Sequence, residues 1–213
     1  MKLYKFRSLQ QIEFTLDILL FERLYCAPYK YLNDPLEGLF YTISQPMGMA
    51  MATRRYYKCV EDLPFYSTDV RICSLSEELG DIRMWSHYAS GHQGVAIEIE
   101  FAEESNNLYK VDYNEGLQKF GTTILAGATA AEVLSVKTNH WAHEKEYRVI
   151  QQHEYFEING KVTGLYLGIR VSDNMRGLLI KAVPTRIPIF NTRLDKANVK
   201  VEPAGQINAQ QGG

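Results

Sequence analysis

The sequence predicts a single α+β domain with mixed or antiparallel sheets and flanking helices. Three observations carry that expectation. Leu3–Arg7, Val70–Ser76 and Gly94–Phe101 are rich in aromatic and β-branched residues, and the last alternates apolar with polar residues as a strand buried on one face does. Between the first two lies a run with apolar residues at Leu9, Ile12, Leu16, Leu19 and Leu20, the three-and-four spacing of an amphipathic helix. No internal repeat and no linker-like break interrupts the chain before Pro203. Residues 1–202 therefore read as one domain. Residues 203–213, made of Pro, Ala, Gly, Gln and Asn around a lone Ile207, read as a disordered tail.

The elements follow in order. Ser8 opens the first helix in a capping box with Gln11, and the helix is expected to end near Cys26, before Pro28. Asn33-Asp34-Pro35-Leu36-Glu37-Gly38 makes a turn. It either presents Asn33, Asp34 and Glu37 to a pocket or serves only to reverse the chain. Gln45–Thr53 is rich in Met, Gly and Ala and reads as a loop and candidate lid, leading into a helix over Arg54–Val60. Val70–Ser76 is a strand that places Ser74 and Ser76 on one face. Asp81 caps a short helix carrying Met84, Trp85 and Tyr88, which Gly91-His92-Gln93-Gly94 breaks. Gly94–Phe101 is a half-buried strand and Leu108–Tyr113 another; residues 117–136 are compatible with a helix. Asn159-Gly160 between Tyr155–Ile158 and Val162–Val171 signals a hairpin. Ser172–Gly177 reads as a turn or helix start. Leu178–Val183 and Pro188–Phe190 read as strands, and Val199–Glu202 as an edge strand.

Composition narrows the function classes. The 213 residues carry a formal net charge of −2, so there is no general basic excess to hold a phosphate backbone, although a local basic site is compatible with it. Cys26, Cys59 and Cys73 are odd in number and far apart, which argues against a disulfide framework and a cysteine-based zinc site. A reducing cytoplasm is the expected compartment. No apolar stretch is long enough to span a bilayer, so no membrane partner is expected. Oligomeric state is not legible.

The stretch Trp141–Ile150 organises the rest. If the run to Ile150 is a strand, Glu144, Glu146 and Arg148 share one face and Lys145, Tyr147 and Val149 the other. Such a face either meets solvent, with a local salt bridge, or lines a polar site. Other polar clusters occur in a fixed order: Asn33-Asp34-Pro35-Leu36-Glu37-Gly38, Cys73-Ser74-Leu75-Ser76, Trp85-Ser86-His87-Tyr88-Ala89 with His92 and Gly94, and Trp141 with Glu144, Glu146, Tyr147 and Arg148. On these motifs, from about Leu3 to Gly168, the chain resembles a bacterial family known as domain of unknown function 2971, whose name implies no activity.

A second resemblance implies one. Arg7 on the first strand, Ser74 with Ser76 on a middle strand, and Glu144 with Glu146 on a later strand are similar to the Arg–Ser–Glu arrangement of ADP-ribosyltransferases. That resemblance implies an ADP-ribosyltransferase-like fold and NAD as substrate, cleaved at its nicotinamide–ribose bond. Glu146 would bond the ribose hydroxyl as positive charge develops. Glu144 would orient or deprotonate the acceptor, Ser74 or Ser76 would hold the carboxylate, and Arg7 would take the pyrophosphate. Trp85, Tyr88 or Tyr147 would stack on nicotinamide, and His87, His92, Asn33 and Asp34 complete the expected binding set. The acceptor, whether protein, nucleic acid, small molecule or water, stays open, and a toxin or phage-defence setting is an association of that resemblance. Two other readings stand beside it. One is a metal-dependent hydrolase using His87, His92, His140 and His143, whose spacings do not match a helical zinc pair. The other is a non-catalytic module that binds a nucleotide or a protein.

Overall fold

The structure, a computed structural model, describes residues 1–44, 54–64, 66, 69–102, 105, 107–120 and 129–207. A nine-stranded sheet forms its frame. Its main order runs Lys200–Ile207, Ile189–Asp195, Gly160–Leu167, Val95–Phe101, Lys2–Arg7, Arg71–Ser76, Glu146–Gln151, Leu108–Lys110. The short strand Ala27–Pro28 pairs with Arg71–Ser76 beside that path. Neighbours are antiparallel except Gly160–Leu167 and Ile189–Asp195, which are parallel. That one parallel step requires a crossover. The helix Asp173–Ala182 lies within it, its N-terminus capped by Ser172 Oγ accepting from Met175 N–H. Leu178–Val183 is thus helix through Ala182 rather than strand; its apolar run is too short for periodicity to distinguish the two.

The first helix, Ile12–Phe21, and Asp173–Ala182 cover one sheet face, where Ile18, Leu19, Leu179 and Val183 pack on Leu3, Ile97, Ile99, Leu165 and Leu167. The short helix Ile82–Tyr88 covers the other face, where Trp85 packs with Phe6, Ala96 and Tyr166. A smaller three-stranded sheet, Gln118–Phe120, Leu39–Ser44 and Arg54–Cys59, lies over its own core of Phe40, Val60, Phe120 and Leu134.

Several expectations are corrected. The first helix stops at Phe21, because Glu22 turns left-handed (φ 51°) and Arg23–Tyr25 leaves as a strand. Arg54–Cys59 is a strand, paired residue for residue with Leu39–Ser44. Val95–Phe101 is buried on both faces rather than one. Its Glu98 accepts hydrogen bonds from Tyr4, Thr163, Tyr166 and Lys2, so a residue with the pattern of a solvent face is inside. Asn159-Gly160 closes no hairpin, because Tyr155–Glu157 pairs with Arg23–Tyr25 while Gly160–Leu167 pairs with Val95–Phe101. Leu108–Tyr113 divides into two strands, Leu108–Lys110 and Asp112–Asn114. Among the described residues of 117–136, Gln118–Phe120 is strand and Ala130–Leu134 is helix, while 121–128 lie outside the described residues. The chain also stays in the sheet past Glu202. Pro203 to Ile207 extend the last strand against Ile189–Thr192, where an edge position tolerates Pro203. The candidate lid at 45–53 and the remaining tail, 208–213, lie outside the described residues.

Candidate functional site

The site follows from a defect in the sheet. Lys2–Arg7 pairs with Val95–Phe101 at six positions, and Arg71–Ser76 pairs with Glu146–Gln151 at six. Between them the two central strands register at one pair, Tyr4 with Ser76. They then part, and Ala27–Pro28 takes the freed edge at Ile72 and Arg71. A cavity of about 490 Å³ occupies the opening, a volume within the range of small-molecule sites. Paired residues on neighbouring strands point to the same face. Glu98, Tyr4, Ser76 and Glu146 therefore form one row across the sheet. Lys5 and Arg7 point to the opposite face, next to Leu3 in the alternation. Because the strands part, the cavity reaches both: it is lined by Lys5, Arg7, Tyr25 and Phe14 as well as by Ser74, Ser76, Tyr88, Lys137, Glu144 and Glu146.

One wall is a buried charge network. Arg148, fully buried, clamps Glu37 with Nη2 at 2.5 Å and Nη1 at 2.8 Å, and Glu146 with Nε at 2.8 Å and Nη2 at 3.1 Å. Lys137 Nζ lies 2.7 Å from Glu144 and 2.9 Å from Glu146. Tyr88 O–H donates to the other Glu144 oxygen at 2.5 Å and accepts from Asn33 Nδ2 at 2.8 Å. Burial pushes the Glu146 carboxyl up, but Arg148 and Lys137 outweigh it and hold it well below the usual carboxylate range. Burial likewise works against the Lys137 charge, and Glu146 and Glu144 overcome it and raise its pKa. Burial and the Glu144 charge push the Tyr88 hydroxyl up, which keeps it protonated and a donor. Three carboxylates share two cations along this wall, and burial pushes the Glu37 carboxyl up against the pull of Arg148 and Lys137.

Glu144 reaches this wall from an unexpected place. It ends the 3-10 helix Asn139–Glu144, Lys145 turns left-handed (φ 42°), and the strand begins only at Glu146. The expectation that Glu144 shares a strand face with Glu146 and Arg148 is thus corrected, although the two carboxylates still converge on one lysine. Ser76 fixes the turn: its hydroxyl donates to the Glu144 carbonyl at 2.5 Å and accepts from Glu78 N–H at 2.9 Å.

The opposite wall is basic and short of partners. Lys5 Nζ donates to the Ser74 carbonyl at 2.8 Å. Arg7 has a buried Nε with no hydrogen-bond partner, and its guanidinium lies 4.8 Å from the Phe14 ring centre. Burial lowers the Arg7 pKa, yet a guanidinium stays charged. Among the described residues no carboxylate lies within ion-pairing distance of Arg7 or Lys5.

Of the residues expected at the site, Arg7, Asn33, Ser74, Ser76, Tyr88, Glu144 and Glu146 line the cavity and five do not. Trp85 is fully buried, donating its indole N–H to the Leu79 carbonyl at 2.7 Å. His92 stacks on Trp85 and sits at φ 71°, where it turns the chain into the next strand. His87 is on the exposed side of its helix. Tyr147 faces the core side of its strand, with Lys110 Nζ 5.4 Å from its ring centre. Asp34 accepts from Leu36 N–H at 2.9 Å and builds the turn. The metal reading finds no support: among the described residues no group of three His, Cys, Asp or Glu is placed to hold an ion. Sequence reasoning missed Lys5 and Lys137. Lys137 stands alone in a short strand, Val136–Thr138, with no local motif to mark it. No family model, curated protein or solved structure matches this chain.

Proposed function

We propose that the cavity binds a nucleotide of the NAD type and cleaves its nicotinamide–ribose bond. The observation that supports this reading is the pairing of opposite poles in one cavity: Lys5 and Arg7, with no carboxylate partner among the described residues, on one wall, and Glu144 and Glu146 on the other. Phosphates suit the first wall, where Arg7 offers a planar fork of donors. Ribose hydroxyls and a sugar carbon gaining positive charge suit the second. As the bond breaks, nicotinamide leaves with the bonding electron pair and the acceptor oxygen or nitrogen adds to the anomeric carbon, losing its proton. Glu144 would receive that proton once a ligand hydroxyl replaces Tyr88 at its oxygen. Glu146, held by Arg148 and Lys137, serves as fixed negative charge.

The test is NAD turnover with nicotinamide detection, in the presence of a lysate that supplies acceptors. Glu144→Gln is expected to slow turnover by about 10²-fold or more, and Arg7→Ala chiefly to weaken NAD binding. Absence of both turnover and NAD binding by the wild-type protein would sink the proposal. A second reading has one observation in its favour: both Glu146 oxygens are already engaged by cations. Tight NAD binding without turnover would favour that reading, a nucleotide-binding module.

A further inference from the structure

We infer that the outer face of the three-stranded sheet binds single-stranded nucleic acid. This surface is separate from the cavity residues, and its argument does not depend on NAD chemistry. The inner face of that sheet is spent on Phe40, Thr42 and Phe120, which are buried. Register then sets what remains outside. Lys119 pairs with Tyr41 and Tyr41 with Tyr57, so the three form one row across the strands; Arg55, paired with Ile43, lies in the next row. Tyr57 is 69 % exposed, and Arg55 and Lys119 are exposed. The rings of Tyr41 and Tyr57 stand side by side, 6.3 Å between centres and inclined at 53°, and Arg55 lies 5.1 Å from the Tyr41 centre.

Charge separates this surface from the rest of the protein. The outward-facing positions of the three strands carry Arg55 and Lys119 and no acidic residue, although the whole chain is net −2. Among the described residues neither Arg55 nor Lys119 has a carboxylate partner. Cations interleaved with exposed aromatic rings on an open sheet match a strand of stacked bases with a phosphate backbone. A duplex keeps its bases stacked on each other and offers the tyrosines nothing comparable. A local basic site thus coexists with a chain whose composition gives no general affinity for polyanions.

The experiment is fluorescence anisotropy of the full chain with labelled oligo-dT and oligo-U of about a dozen nucleotides. Saturable binding that weakens steeply with salt is expected. Tyr57→Ala should weaken it roughly tenfold, and Tyr57→Phe, which keeps the ring, should not. Lys119→Glu should weaken it and flatten the salt dependence by about one unit of slope. These sites are exposed, so unchanged melting temperatures would show that folding is intact. No binding at low salt overturns the inference. So does binding that Tyr57→Ala leaves unchanged, or equally tight binding of inorganic polyphosphate, since either would mark a plain polyanion surface.

Discussion

Arg148→Met is expected to destabilise the protein by about 3–5 kcal/mol, lowering the melting temperature by roughly 6–20 °C for a chain of this size. The physical reason is the stranded charge. Arg148 is the partner of both Glu37 and Glu146 and also donates to the Leu134 carbonyl at 2.5 Å. Methionine fills similar volume but leaves three buried carboxylates to share Lys137. The cost therefore comes from what remains rather than from the pair that is lost. Glu37→Leu in the same background should restore part of the stability, because it removes one stranded carboxylate. Denaturant unfolding measures both. A loss under about 1 kcal/mol for Arg148→Met, the scale of an exposed pair, would mean that water reaches the network and that the wall is not the low-dielectric surface the proposed chemistry needs.

The same network shows what local sequence can and cannot reveal. Glu144, Glu146 and Arg148 stood out because they lie within five residues of one another in a recognisable pattern. Glu37 was visible as part of a turn. That Arg148 would clamp Glu37, 111 positions away, depends on the topology alone. Lys137 has three carboxylate neighbours in the network, Glu37, Glu144 and Glu146, and no motif, so nothing in its own segment points to it. The fold divides in the same way. Lys2–Arg7 and Arg71–Ser76 were legible from their residues. The way they part after Tyr4 and Ser76 was not, since nothing in either strand records that Ala27–Pro28 will take the edge. Arg7, Ser74, Ser76 and Glu146 were thus identified individually, while the opening that brings them together emerged only from strand pairing. The motif Trp85–Gly94 was the opposite case. It was conspicuous and read as a binding segment, yet most of it builds structure, with Tyr88 reaching the cavity from one side of the helix.

Gly94 explains why that motif ends as it does, and it sets up a second test with a sign control. A Cβ at Gly94 would lie 2.2 Å from the Arg7 carbonyl oxygen and 2.9 Å from the Ala89 Cα. Both are backbone atoms, so no side-chain rotation relieves the clash. Gly94→Ala is therefore expected to cost about 3 kcal/mol, the upper end for overpacking. It should also push the strand end that carries Arg7 and so weaken ligand binding at the cavity beyond what the loss of stability explains. Gly177 lies inside the helix Asp173–Ala182, and a Cβ there meets nothing within 4 Å. Gly177→Ala should instead stabilise by about 0.5–1 kcal/mol, because alanine has less chain entropy to lose in a helix. Thermal unfolding of the two variants should therefore shift in opposite directions. If Gly94→Ala were as benign as Gly177→Ala, the close approach of the helix turn to Arg7 would be wrong, and with it the account of how this motif positions the basic wall of the cavity.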